Sequence, residues 1–376
     1  MDFINKVIKH FSDLPGWHIR NKIVVLESDD WGSIRMPSLE VYNRLESLGV
    51  DVAFGDNFIY NSKDSLATET DLSLLFEVLS SVKDATNRPA VMTAISVVAN
   101  PDFKKIKHNQ YQNYYFEPFT ETLKRQKGCE NSFDLWKEGI SKNLFMPQFH
   151  AREHLNVMEW MRALQQGDNH ALMAFDNQFW GYHNTPHSPT KVSFQAAFDY
   201  YYPSDLNDQA EILRSGLTLF EELFGYKARY FVPTNGPFSN SLEKVTAESG
   251  VQYIYGSKIQ HEPIGNSKTR RRFHYLGQKN RAGQLYMMRN CIFEPSLGGK
   301  DWVDACLADI DSAFKCRKPA VISSHRVNFI GALDKNNRYE GLLQLSLLLK
   351  TIVKRWPEVV FMTSVELGDL MANRFE

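Results

Sequence analysis

The chain has 376 residues, 43 basic and 44 acidic side chains, a formal net charge of −1 and 43% hydrophobic residues. That length can bury a large core, as one α/β barrel or as two domains, and the balanced charge removes any general reason to expect nucleic acid or an anionic membrane surface as the main partner. No stretch is apolar enough to span a bilayer, residues 1–20 lack the apolar core and cleavage site of a signal peptide, and Cys129, Cys291, Cys306 and Cys316 show no CxxC spacing, so the expectation is reduced thiols in a cytoplasmic protein.

In chain order, 22–27 predicts a strand, 39–48 and 69–83 predict helices, and 89–97 predicts a strand. Residues 144–149 form a strand running into a histidine motif, followed by a helix over 157–165. A helix over 206–223 is stopped by Gly225; 228–232 is a strand, 241–249 a helix and 251–255 a strand. Residues 285–293, 320–324 and 359–362 complete the strands, with late helices over 302–314 and 341–355. Short apolar runs separated by helical periods indicate βα units and a parallel sheet; seven or eight units fit a closed or nearly closed barrel better than an open doubly wound sheet. No glycine-rich phosphate-binding fingerprint follows the first strand. The fold expected is α/β, a distorted (β/α)7-8 barrel, as a single domain over 1–376.

Three stretches interrupt the rhythm: 103–143, 174–203 and 256–281. The first two carry Tyr114, Tyr115, Phe116, Phe179, Trp180, Tyr182, Tyr200, Tyr201 and Tyr202. Such long βα-loop insertions build the substrate cleft of a barrel, where rings can stack on sugar faces; alternatively the rings cover the barrel itself. The third carries the basic run Lys268 to Arg272, a solvated loop or a contact for a phosphate or uronate on the substrate.

The chemistry sits at strand ends. The first strand closes on Asp29-Asp30 before Trp31-Gly32, a middle strand runs into His150-Ala151-Arg152-Glu153-His154, and a late strand ends in His325. One carboxylate and two imidazoles bind zinc or a related divalent ion and leave a coordination position open; a neighbouring carboxylate can then act as base. The i, i+4 histidine spacing suits one side of a helical turn, with His150 at the strand end and His154 in the first turn of the helix. Adjacent aspartates alternate faces on a regular strand, so both reach one site only where the strand end twists. The Asp pair also suits a helix cap, and His325 suits either a general acid or a structural histidine.

Together these motifs resemble the polysaccharide deacetylases of carbohydrate esterase family 4, with their NodB-like barrel. The resemblance implies Asp29 as base, Asp30, His150 and His154 as ligands of a divalent metal, zinc first, and His325 as acid. It implies an acetylated saccharide substrate. The family's Arg-Pro-Pro-Tyr-Gly segment is best matched by Val232-Pro233-Thr234-Asn235-Gly236, which makes the backbone N–H of Asn235 the oxyanion donor and places Pro233 beside it. The arginine that braces the base is missing from that segment, leaving Arg229 or Arg289 as substitutes; Trp31 joins the substrate-contacting set. The rival readings are an inverted-motif zinc peptidase with Glu153 as base, a C–N hydrolase or glycosidase on the same barrel, and a barrel that binds glycan without catalysis.

Overall fold

The computed structural model describes residues 15–55 and 57–373; most of the N-terminal stretch read for a signal peptide, residues 1–14, lies outside them. The strands are β1 (Ile23–Trp31), β2 (Met92–Val97), β3 (Ala99–Pro101), β4 (Phe116–Pro118), β5 (Phe145–Ala151), β6 (Tyr230–Phe231), β7 (Tyr253–Tyr255), β8 (Ile259–Pro263), β9 (Thr269–Phe273), β10 (Leu285–Met287), β11 (Cys291–Ile292), β12 (Ala320–His325) and β13 (Val360–Met362). Nine form one sheet in the order β10-β7-β6-β5-β2-β1-β12-β11, with β13 paired to the first residues of β1. Every pairing in that sheet is parallel, and the sheet curls into the open (β/α) barrel that the βα rhythm predicts.

Among the described residues, the barrel does not close by hydrogen bonding. Its edges, β10 and β11, are consecutive in the chain and joined only by residues 288–290. The single strand expected over 285–293 is therefore two strands on opposite edges. The apolar run masks the break, because both halves are built of apolar residues.

The two faces of the sheet differ. Ile23 and Val25 of β1 pack with Ile95, Tyr230, Tyr253, Leu285, Met287 and Val321 from the other strands, whereas Val24 and Leu26 pack with Trp136, Phe145 and the helices. Side chains alternate along a strand, so the first set fills the barrel and the second faces its helical coat. Continuing by twos along the inner face, β1 brings Glu27 and Asp29, β12 brings Ser323 and His325, β7 brings Tyr255 and the seam brings Arg289. The interior is thus apolar at the N-terminal ends of the strands and charged at the C-terminal ends, where barrel sites are built.

The insertions are more regular than expected. The first holds the helices Phe103–His108, Phe119–Arg125 and Ser132–Ser141 and the strand β4, which pairs with β3 just before it; the third is a β8–β9 hairpin, so Thr269 to Arg272 of the basic run lie on a strand rather than in a loop. Arg272 is paired with Glu262. The long helix Asp205–Phe224 ends at Gly225, whose φ of 76° is the left-handed conformation that terminates helices.

Candidate metal centre

Two irregularities in the ladders aim the key side chains. Between β1 and β2 the register runs Ser28 to Ala94 and then Trp31 to Ser96, so β1 carries one extra residue at Asp29-Asp30. Asp30 adopts φ 75°, a left-handed conformation that turns its side chain back toward its neighbour's side. Between β2 and β5, Ser96 faces Phe149 but Val97 faces Ala151, which leaves His150 as the extra residue. Such bulges re-aim side chains next to active sites. Gly32 follows with φ 82°, and a Cβ there would stand 2.5 Å from the Val97 carbonyl oxygen, so only glycine fits.

Asp30, His150 and His154 are brought together and buried. Asp30 Oδ1 lies 3.4 Å from His150 Nε2 and 3.3 Å from His154 Nε2. Two donors each about 2.1 Å from one ion at the tetrahedral angle stand roughly 3.4 Å apart, so this spacing fits a shared divalent cation better than a strong hydrogen bond. His150 Nδ1 lies 2.6 Å from the carbonyl oxygen of Val232, which fixes the proton on Nδ1 and leaves the Nε2 lone pair facing Asp30. The His154 Nδ1 is buried without a partner. Burial pushes the His154 imidazole below its ordinary value against the pull of Asp30. Burial works to raise the Asp30 carboxyl, but the two imidazoles outweigh it and hold the group well below the usual range. His154 lies in the bend after β5, not in a helical turn; the helix begins only at Val157, because its cap is Asn156, whose side chain accepts from Glu159 N–H.

Asp29 accepts two hydrogen bonds from the Arg289 guanidinium, at 2.7 and 2.6 Å. The Arg289 Nε donates to Glu27 at 2.5 Å. Glu27 is fully buried and also accepts from Ser364 and Tyr230, at 2.7 and 3.2 Å. Burial alone would raise the Asp29 carboxyl; Arg289 in front of it, with His150 and His325 nearby, leaves it below the ordinary carboxylate value. His325 is the register partner of Asp29, and its Nδ1 lies 2.6 Å from Glu294 Oε1. Burial works to lower the His325 imidazole, but Glu294, then Asp30 and Asp29, push it up to about 10. Glu294 is held in turn by Asn328, which donates at 2.6 Å.

Asp29, Asp30, His150, His154, Arg289 and His325 line one cavity of about 490 Å³ together with Arg35, Asn57, Tyr60, Gln195, Val232, Pro233, Asn235, Gly236, Tyr255 and Ser323, with Glu27 and Glu294 behind them. Two expectations fail. Arg229 precedes β6 at the opposite end of the barrel, where it pairs with Asp369 and Gln252 outside the cavity. Trp31 is 1% exposed and packs edge-on against Phe145 and Trp136 on the outer face, its Nε1 donating to Ser28, so it belongs to the core. The nine insertion rings do not line the cavity; Phe179, Trp180, Tyr182 and Tyr200 are buried, and the rings that do line it are Tyr60 and Tyr255. Glu153 is buried beside Arg152, which donates to it at 2.6 Å, and it too is outside the cavity, so the inverted-motif peptidase lacks its base. Glu27 and Glu294 are additions the sequence reading did not contain. Glu27 was within reach, since it stands two residues before Asp29 on the same strand face.

No protein-family model matches the chain, and no curated protein matches it. Among solved structures it is similar to a Mycobacterium smegmatis protein assigned as a polysaccharide deacetylase, with a TM-score of 0.47 and 10% identity over 96% of this chain and 93% of the other. A 4-alpha-glucanotransferase from Thermococcus litoralis gives a TM-score of 0.47 and 10% identity over 92% of this chain and 40% of that one. PuuE allantoinase gives 0.47 and 11% over 94% and 91%. The three structures differ in the reaction named for them.

Proposed function

We propose that this chain is a metal-dependent hydrolase that removes an N- or O-acetyl group from a saccharide. The observation that carries the reading is the spacing of Asp30, His150 and His154, with Asp29 and His325 flanking the same cavity. A divalent cation held by those three residues, zinc first among candidates for an N,N,O set, would acidify water and draw electron density from a substrate carbonyl. Asp29 is ionised and oriented by Arg289, which suits it to accept the proton of the attacking water. The Asn235 backbone N–H, at φ 53° on the cavity wall, makes no backbone hydrogen bond among the described residues and would serve as donor to the developing oxyanion. His325, kept as imidazolium by Glu294, gives its proton to the departing nitrogen or oxygen.

Metal analysis and acetate release from a panel of N- and O-acetylated saccharides test this reading. About one divalent ion per chain and chelator-sensitive acetate release are expected. A metal-free protein with undiminished release, or a loaded protein that releases nothing from the panel, would refute it.

A further inference from the structure

Every charged group in the cavity except one has a partner of opposite charge or a ligand role. Asp29 and Glu27 share Arg289, His325 holds Glu294, and Asp30 sits between two imidazoles. The exception is Arg35. It is 8% exposed, lines the cavity, and its Nε is buried without a hydrogen-bond partner. Among the described residues no carboxylate lies within ion-pair distance of its guanidinium, and no hydrogen bond satisfies it. Its neighbours are already committed. Both oxygens of Asp64 accept from Arg326 at 3.0 Å, and the Gly181 carbonyl accepts from Asn61 and Gln195 at 3.1 and 3.3 Å. The Tyr60 ring lies 5.2 Å from it, and the carboxylates of Asp30 and Asp64 act on it only from beyond ion-pair distance.

The backbone around Arg35 is fixed on both sides. Ile34 N–H donates to Asn100 at 2.9 Å, and Met36 N–H donates to the Asp64 carbonyl at 3.2 Å. A buried, permanently charged group with unused donors costs several kcal/mol unless something pairs with it, at roughly the scale of other buried unpaired charges. A guanidinium presents a planar fork that matches the two oxygens of an oxyacid, and here it rises from a fixed backbone into a cavity that Asn57 also lines.

We infer that Arg35 is the subsite for an oxyanionic group of the substrate, so that the acetylated saccharide carries a carboxylate or a phosphate close to the acetyl group. This rests on the deacetylase reading for the acetyl group, but the anion subsite can be tested separately from it. The basic run Lys268 to Arg272 is not part of this subsite, since it does not line the cavity.

The test compares three probes on the metal-loaded protein: N-acetylglucosamine, its 6-phosphate, and the corresponding N-acetylhexosaminuronate. Acetate release and calorimetric binding are both measured, on the wild type and on Arg35→Gln and Arg35→Lys. The expected result is an acidic-over-neutral preference of at least about tenfold in kcat/KM or in Kd, lost in Arg35→Gln and partly restored in Arg35→Lys. Whichever acidic probe shows the preference identifies the oxyacid. Acetate release without such a preference, or a preference that survives Arg35→Gln, overturns the subsite while leaving the hydrolase reading intact. Anion binding that depends on Arg35, with no acetate released from any probe, supports the subsite and counts against the deacetylase reading. The absence of an Arg35-dependent preference for either acidic probe, in kcat/KM and in Kd alike, overturns the subsite.

Discussion

Asp29 on β1 and His325 on β12 are register partners across a parallel ladder, and each is gripped by a buried group of opposite charge. Arg289 forks onto the carboxylate, while Glu294 holds the imidazole. The two grips push in opposite directions: Asp29 is held ionised and His325 protonated. Environments that push a pair of titratable groups apart suit one to act as base and the other as acid, as the proposed reaction asks of Asp29 and His325, and both environments trace to residues outside the sequence motifs.

Arg289 neutralises two buried carboxylates at once, so Arg289→Gln should cost about 3–5 kcal/mol in urea unfolding and most of the activity. The Asp29 carboxyl lies below its unfolded value, so its stabilising contribution is full above about pH 4 and fades as the pH falls through its lower folded value. The variant should therefore lose part of the wild type's stability gain on going from strongly acidic to neutral pH. Unfolding curves at several pH values check this, and parallel curves would count against the clamp.

In metal-free protein the His325 ring should titrate near pH 10 by NMR. Its value is raised on folding, so the Glu294 pair stabilises fully below about pH 6.5 and loses that contribution as the pH climbs through about 10. Glu294→Gln should move the titration by more than about one unit toward the ordinary imidazole value and lower the rate at neutral pH by roughly 10²-fold. An unmoved titration would remove Glu294 from the role given to it.

The ion pair of Asp64 with Arg326 is completely buried, and Arg326 also donates to the Ser33 carbonyl at 2.8 Å. Arg326 directly follows His325, so the pair anchors the exit of β12. Asp64→Asn should destabilise by about 3–5 kcal/mol, because it strands a buried guanidinium. Chemical denaturation measures this, and a change under about 0.5 kcal/mol would show that the site can relax around the loss.

Glu153→Gln separates the two meanings of the histidine motif. The Glu153 carboxylate sits with Arg152, away from the cavity, so metal content should stay near the wild-type level and acetate release within a few-fold of it. Abolished turnover with metal retained and the fold intact would favour the peptidase-type base.

Sequence patterns carried the fold class and the groups at strand ends, because Asp29-Asp30, His150 with His154, and His325 are each local signatures on apolar runs. The helix over Val157–Gln165 and the Gly225 stop were likewise legible from period and turn chemistry. The clamp was less so. Arg289 occupies a break in a continuous apolar run, and the run from Leu285 to Phe293 does not reveal that its halves sit on opposite barrel edges. Glu294 becomes meaningful only when β11 lies beside β12. Trp31 misled in the other direction: its place beside the Asp pair suggested a site role, but the bulge and left-handed Asp30 return it to the outer core. The aromatic insertions went the same way: Phe179, Trp180, Tyr182 and Tyr200 are buried, and none of the nine rings lines the cavity.

The most direct measurement is anomalous diffraction from crystals of the zinc-loaded protein. A single peak about 2.0–2.2 Å from Asp30 Oδ1, His150 Nε2 and His154 Nε2 is predicted. No peak at that point, or one held by other side chains, would contradict the account.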